Sequence, residues 1–335
     1  MGAAEINLTT EPGLDEIRTT IPEGRPAWTE NICWMMHDPN TGISLYAHLG
    51  RLQPDRTVWE GLSLIYLPNG EVLVNRNLGV SLTEAKTPEY NYRPVVPTKI
   101  WHYQFDGMAQ RVNPHDLRRR AVADEPFEHV IYDLIFEGMQ PVYNMHGSTL
   151  ESEAKHKTHL EQGGTLKGAI VIGGKRHEIN CTAFRDHSVS ERTFKTLDLE
   201  SWANCVFPSG RVFSILEVKR QEVQIMQGQV YRDGRIEPVT ATGVADLTST
   251  AGEPYTGTIR LNVPSGDVEI QYEVIDKQFV NFNLMRPVGM RPGIDINNPS
   301  FMLAVQCPAK FTWDGEVGYG WLERVRPHTA ALIES

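Results

Sequence analysis

Cysteine is scarce in this chain: Cys33, Cys181, Cys205 and Cys307 are the only four in 335 residues. None forms a CxxC step or a Cys/His pair at zinc spacing, so a structural metal is not expected. Long apolar runs are also missing, and nothing approaches the roughly 18–20 residues that a membrane-spanning helix needs. The opening Met1-Gly-Ala-Ala-Glu-Ile-Asn7 lacks the basic and apolar regions of a signal peptide. GxGxxG and GxxxxGK[ST] do not occur, which removes the usual dinucleotide and P-loop signatures. The G-x-S-x-G elbow is absent too, so Ser148 and Ser188 carry no serine-hydrolase motif. Positive charge is in deficit, with 32 Lys and Arg against 42 Asp and Glu for a formal charge of −10. That balance argues against a general nucleic-acid binder. Arg118-Arg119-Arg120 is a local exception that reads as a solvated helix end or loop before it reads as a phosphate site. These absences together describe a cytoplasmic, reduced protein with free thiols and no integral membrane segment.

What is present is a long series of short strands separated by turn residues. Asn31–His37 and Gly42–Leu49 flank Asp38-Pro-Asn-Thr41, and Trp59–Leu67 and Glu71–Asn77 flank Pro68-Asn-Gly70. Asn-Gly between two apolar runs is the strongest short-range hairpin signal. The pattern continues with Ile100–Phe105 and Ala109–Val112 around Asp106-Gly107, then Glu128–Phe136. Lys167–Ile172 and Lys175–Thr182 follow around Gly173-Gly174, and Trp202–Phe207 and Arg211–Glu217 around Pro208-Ser-Gly210. Val223–Tyr231, Arg235–Val239, Gly257–Val263, Asp267–Val274, Phe311–Gly315 and Gly318–Arg326 complete it. Few helices are expected, with one short one around Leu14–Arg18. Strands at this spacing predict an all-β protein made of antiparallel barrels or sandwiches. The expected division is an N-terminal extension over 1–30, one β domain over 31–155 and a second over 156–335, meeting near the charged segment Glu151–Lys157.

The densest chemistry lies in Phe184-Arg-Asp-His-Ser188, at the end of the strand that follows Gly173-Gly174. A two-residue turn there makes opposed positions sum to 347, which sets Glu161 across from Asp186, Gln162 across from Arg185, and Leu160 across from His187. Opposed side chains lie ~5 Å apart at Cβ. Two opposed carboxylates would push one pKa up, as a general acid near neutral pH requires. Strict alternation turns Gln162, Arg185 and His187 toward the face carrying Leu166, Ile170 and Ile179, and turns His159, Glu161, Asp186 and Ser188 away. A bulge at Gly163-Gly164 would reverse that facing. The plain structural alternative is an Arg185–Asp186 ion pair that pins the strand end.

With these residues in view, the run His159-Leu-Glu-Gln162, the Gly-Gly hairpin, Phe184-Arg-Asp-His-Ser188 and Gly318-Tyr-Gly-Trp-Leu-Glu323 resemble the carotenoid hydratase (hydroxyneurosporene synthase) and AttH-like superfamily. Tyr46-Ala-His-Leu-Gly50, Trp59 and Leu67-Pro-Asn-Gly-Glu71 extend the resemblance over about residues 31–326. It implies two lipocalin-like β-barrel domains in tandem with a ligand pocket, and water-adding or cyclising enzymes that use no metal or organic cofactor. Where Trp-Gly often follows Asp-His-Ser in that family, this chain has Val189-Ser190, which alters one wall of the pocket.

The activity this implies is a cofactor-independent hydratase-type lyase acting on an alkene of an apolar, isoprenoid-like small molecule. A cyclase of a polyene or polyketide and a non-catalytic carrier of lipophilic ligands are the alternatives. Asp186, His187, Glu161 and Arg185 are the expected catalytic residues, with Asp186 preferred as acid and Glu161 or Asp133 next. Gln162, Asp133, Tyr46, His48, Trp101, Trp321 and Glu323 are expected to bind substrate, with His187 or Gln162 orienting water. Asp133 enters because it interrupts an apolar strand, where a buried carboxylate must be hydrogen-bonded or raised in pKa. Trp101-His102-Tyr103, and Tyr46 with His48, read as sheet packing before they read as site residues. Neither a nucleic acid nor a membrane is an expected partner, and a homodimer stays open.

Overall fold

The computed structural model describes residues 8–9, 12–25, 27–52, 54–113, 126–146, 157–191, 197–244, 256–283, 289–293 and 301–327. Its strands form two antiparallel sheets. In the first, Trp28–Asp38, Ile43–Arg51, Val58–Tyr66, Val72–Val80, Ile100–Val112, Phe127–Gly138, Thr158–Ile172 and Lys175–Glu191 each pair with the next, and the last returns to the first. Eight strands therefore close into an up-and-down barrel, which leaves no unpaired edge in the ring. The strand Tyr90–Val96 adds a flap along Ile100–Val112.

The second sheet runs from Arg235–Pro238 through Val223–Arg232, Val212–Arg220, Leu199–Val206, Glu316–Pro327, Phe301–Trp313, Val268–Val274 and Thr256–Asn262 to Ala241–Val244. Its two terminal strands are separated in sequence only by Val239 and Thr240. The amides of those two residues donate to Gly228 and Asn262, so the sheet curls until its ends approach. The protein is thus all-β, as the turn spacing predicts, with two curled antiparallel sheets of the lipocalin-like kind that the resemblance implies.

Hydrophobic patterning explains where each strand lies. Phe127–Gly138 alternates buried and open positions, as a strand with one wet face does. Trp28–Asp38 is buried along its whole length because both faces are covered. Ile32, Trp34 and Met36 point into the barrel, while Cys33 and Met35 point toward the second sheet. The barrel interior is filled by Trp34, Trp59, Trp101, Tyr103, Tyr132, Phe136 and aliphatic neighbours. A separate core, including Phe213, Ile259, Leu261, Val305 and Phe311, lies inside the curl of the second sheet. A third joins the two sheets through Tyr46, Leu62, Tyr66, Phe184, Trp202, Val206 and Trp321.

Several expectations change. Asp106-Gly107 is not a turn, because Ile100–Val112 runs through it as one strand. Gly107 is small there to clear Glu89, whose carboxyl carbon would lie 2.5 Å from an added Cβ. The helix expected around Leu14–Arg18 is only a 3-10 turn over Pro12–Leu14. The expected boundary at 155/156 does not coincide with the division between sheets. Strands Thr158–Ile172 and Lys175–Glu191 belong to the first sheet, and the second begins at Leu199. Arg118-Arg119-Arg120 and residues 151–156 lie outside the described residues.

Gly173 and Gly174 both adopt positive φ, 55° and 82°, and the pairing sums to 347 from Ile172–Lys175 to Thr158–Val189 without a shift. There is no bulge at Gly163-Gly164. These glycines serve close approach instead. A Cβ on Gly163 would fall 2.8 Å from methyls of both Val206 and Val212, and one on Gly164 would fall 2.4 Å from the Glu137 carbonyl. Gly163 therefore sets how closely the second sheet seats on the barrel. Gly163→Val is expected to lower stability by about 1–3 kcal/mol through overpacking, read as a lower urea midpoint with unchanged far-UV circular dichroism.

Candidate functional site

Unbroken alternation along Lys175–Glu191 divides the polar cluster between two environments. Arg185 and His187 point into the barrel. Asp186 and Ser188 point outward, toward the second sheet.

The inward group is a buried ion network whose anchor comes from the N-terminal segment. Arg185 donates from Nη1 and Nη2 to the two oxygens of Asp15, both at 2.9 Å. Its Nε and Nη2 also donate to Gln162 Oε1 at 3.0 and 2.7 Å. Gln162 in turn donates to the carbonyls of Thr98 and Gln140. Asp15 further accepts from the Thr98 amide at 2.6 Å and the Trp101 indole at 3.1 Å. His187 bridges two carboxylates, with Nδ1 3.2 Å from Asp15 and Nε2 3.1 Å from Glu30. Contacts to carboxylates at both ring nitrogens suit the imidazolium, which carries a proton on each. Burial pulls the His187 pKa down, but the bonds and charges of Asp15 and Glu30 outweigh it and leave it raised. Burial pushes the Asp15 carboxyl up, yet Arg185 and His187 together hold it well below the carboxylate range. The Arg185 guanidinium also lies 5.3 Å from the Trp101 ring centroid.

This placement corrects the reading of four residues. Arg185 is an ion-pair clamp, but its partner is Asp15 and not Asp186. His187, Gln162 and Trp101 are held in the same network, one sheet thickness away from Glu161 and Asp186. None of them faces the carboxylates with which they were expected to act.

The outward group is different in kind. Glu161 lies opposite Asp186, as the hairpin register requires. Asp186 lies 2.5 Å from His159 Nε2, and Ser188 donates to Asp186 at 3.4 Å. The same imidazole nitrogen is 3.8 Å from Glu161 Oε1. Glu161 Oε1 accepts a 2.8 Å bond from the Trp202 indole, which belongs to the second sheet. Its Oε2 is buried and has no hydrogen-bond partner. Burial pushes the Glu161 pKa up to about 7. Asp186 adds a smaller push in the same direction, while His159, Ser214 and Trp202 oppose it. The expected cause, opposed carboxylates, thus operates but ranks below desolvation.

Across the barrel face, Cα pairing continues the row from Asp186 to Cys33 and on to His48. Tyr46 stands one step along, stacked on Trp321 at 5.8 Å, and Tyr66 meets the same indole edge-on at 5.7 Å. Phe184 packs edge-on against Trp202 at 6.0 Å. Trp321 donates to Gln306 at 2.7 Å, and Gln306 donates to Glu323. Tyr46, His48, Trp321 and Glu323 therefore share the region between the sheets with Glu161 and Asp186. Asp133 does not. Its side chain is 61% exposed on the outside of the barrel, bonded to His102 and Gln104, and its pKa is lowered. Alternation next to a wet strand face, and not burial, explains the carboxylate within its apolar run.

His159, Trp202, Ser214, Asp15 and Glu30 were not expected as site or network residues. His159 had a readable signal, since it lies two positions from Glu161 on the same face. Trp202 and Ser214 come from the other sheet and Asp15 from the N-terminal segment, which no local pattern links to the hairpin. A surface groove of about 700 Å³ lies beside the Gly173 turn, lined by Asn40, Arg111, Glu128 and His177 among others, far along the hairpin from Glu161. Its arginine is already paired with Glu71 and Glu128.

These features define a lipocalin-type β protein with a carboxylic acid held between two sheets. The chain belongs to a family described as a domain of unknown function (DUF7064), whose model matches residues 14–328. No curated protein matches it. Its fold is similar to that of an AttH-type protein (NE1406) from Nitrosomonas europaea, with TM-score 0.56 and 11% identity over 90% of this chain and 92% of that one. It is similar also to CghA, with TM-score 0.52 and 12% identity over 97% of both chains. A looser overlay, TM-score 0.46 at 10% identity, relates 89% of the chain to 88% of kievitone hydratase from Nectria haematococca. The AttH-like resemblance read from the motifs is met at the level of fold.

Two consequences are measurable. Arg185→Met leaves the buried Asp15 without its main counter-charge, and is expected to cost about 3–5 kcal/mol in chemical denaturation. Glu161 has its folded pKa, about 7, above its ordinary 4.5. The folded chain therefore holds a proton that the unfolded chain releases, so this contribution to stability is complete below pH 4.5 and is lost as pH rises through 7. Glu161→Gln is expected to remove that loss, gaining about 1–3 kcal/mol over wild type at pH 8 relative to pH 4.5. Melting curves of the two proteins across pH would show it.

Proposed function

We propose that the protein is a cofactor-independent hydratase-type lyase and that Glu161, not Asp186, is its acid. The observation that carries this reading is a buried carboxyl with pKa about 7, one oxygen engaged by Trp202 and the other without a partner. Such a group is protonated often enough at neutral pH to donate, and ionised often enough to be regenerated. An alkene beside Oε2 would take the Glu161 proton and become a carbocation, leaving the carboxylate behind. The ring faces of Trp202, Tyr46 and Trp321 line the same region and would stabilise the cation. Water adds to the cation, and its spare proton passes to His159, whose ring is oriented by Asp186 at 2.5 Å. His159 is partly open to solvent at 15% and can discharge there, after which Glu161 takes up a proton again. The net reaction is alkene plus water to alcohol, and its reverse.

The aromatic and apolar character of the inter-sheet face supports an apolar, isoprenoid-like substrate. The test is turnover of candidate alkenes in ¹⁸O-labelled water. Label in the product supports hydration, whereas a rearranged product of unchanged mass would replace this reading with cyclisation, and binding without conversion would replace it with a carrier. Glu161→Gln is expected to lower kcat roughly 10²–10⁴-fold and to abolish the fall in rate above pH 7. Asp186→Asn is expected to lower kcat while keeping that limb. A full-rate Glu161→Gln variant would remove Glu161 from the mechanism.

A further inference from the structure

A second unusual side chain lies inside the curl of the second sheet. Arg324, on Glu316–Pro327, is 2% exposed, and its Nε, Nη1 and Nη2 are all buried without a hydrogen-bond partner. It forms no ion pair among the described residues. The other deeply buried arginines are treated differently. Arg185 is doubly paired with Asp15, and Arg51 donates to two carbonyls and lies 4.4 Å from the Trp59 ring centroid. Removing a charge from water without a partner costs several kcal/mol, so an isolated guanidinium in a core calls for an anion.

Among the described residues, the surroundings fit an anionic ligand. Ser201 lies directly across from Arg324 on the neighbouring strand, is 3% exposed, and has an Oγ with no partner. Opposed positions share a face ~5 Å apart at Cβ. On the other side Arg324 faces Val305, and along its own strand Leu322 points the same way, both part of the apolar core of this sheet. Glu217, beyond Ser201, accepts from the Gln224 amide and forms no bridge to Arg324. Arg326 lies two positions on along the strand and adds a like charge, which Glu217 opposes without forming a salt bridge. Burial first, and Arg326 second, pull the Arg324 pKa down to about 10, which still leaves it charged at neutral pH.

We infer that Arg324 and Ser201 form a binding site for the carboxylate of a small organic acid, with the apolar body of the ligand against Val305 and Leu322. The planar fork of arginine matches a carboxylate through two parallel N–H···O bonds, and the serine hydroxyl supplies a third donor. This site is separate from Glu161, which lies between the two sheets and not within the curl of the second.

The test is thermal unfolding of the full chain in sodium acetate, hexanoate or benzoate, each against sodium chloride at equal ionic strength. A ligand that binds only the folded state raises the melting temperature. Hexanoate and benzoate are expected to raise it more than acetate, Ser201→Ala to weaken the rise, and Arg324→Met to abolish it. Arg324→Met without added acid is expected to melt no lower than wild type, since it removes an unpaired buried charge. Equal shifts in wild type and Arg324→Met, or no shift in either, would overturn the site. A shift with phosphate or sulfate but not with the carboxylates would overturn the ligand class. Should Arg324→Met fail to fold, calorimetric titration of benzoate into wild type and Ser201→Ala decides the question, with equal binding or none in both counting against the proposal.

Discussion

The period of two along a β-strand is the constraint from which the rest of this structure follows. Side chains at consecutive positions must leave a sheet in opposite directions. Phe184-Arg-Asp-His-Ser188 therefore cannot act as one cluster, however dense it looks in sequence. Arg185 and His187 enter a barrel, while Asp186 and Ser188 leave it. The same five residues serve two electrostatic systems a sheet apart. The inner one is ionic: Asp15, Arg185, His187 and Glu30 each have an opposite charge beside them, and Arg185 is held at several points. The outer one is unbalanced. A glutamic acid is buried with an indole and a hydroxyl to moderate it, and burial lifts its pKa to about 7. The ion network and the titratable acid are thereby separated by geometry.

The outer system is also shared between sheets. The Trp202 indole and the Ser214 hydroxyl that moderate Glu161 come from the second sheet, as does the Trp321 ring that packs on Tyr46. The pKa of Glu161 is consequently a property of the docked pair of sheets and not of the hairpin that carries it. Gly163 matters for the same reason. It stands next but one to Glu161 on the same face, and its lack of a side chain lets Val206 and Val212 seat closely on the strand that carries the acid.

Much of this was legible from local chemistry. The Gly173-Gly174 turn set the register, and the register brought Glu161 opposite Asp186. Alternation against Leu166 and Ile170 turned Arg185 and His187 inward. The errors came where a local cue had a second physical use. Gly163-Gly164 resembled a bulge but serves close packing, and Asp106-Gly107 resembled a turn but clears Glu89. Asp133 resembled a buried acid but faces solvent from a half-wet strand. The parts that could not be read are those made by distant segments. Asp15 lies in a polar stretch with no periodicity, and nothing near it in sequence announces a buried arginine 170 residues away. Trp202 was one tryptophan among seven.

That separation between Asp15 and Arg185 bears on how the chain is made. At a synthesis rate of roughly 5–20 residues per second, Asp15 emerges about 10–30 s before the residue that neutralises it. Until then the first strands can pair as a meander but cannot close, because Lys175–Glu191 is the strand that completes the ring and also carries the cations. The order of translation thus makes ring closure and charge neutralisation a single late event. A ribosome-bound intermediate of the first 150 residues would be an open sheet with an unsheltered aspartate at its end. It would present to chaperones an incomplete edge that the finished protein never shows.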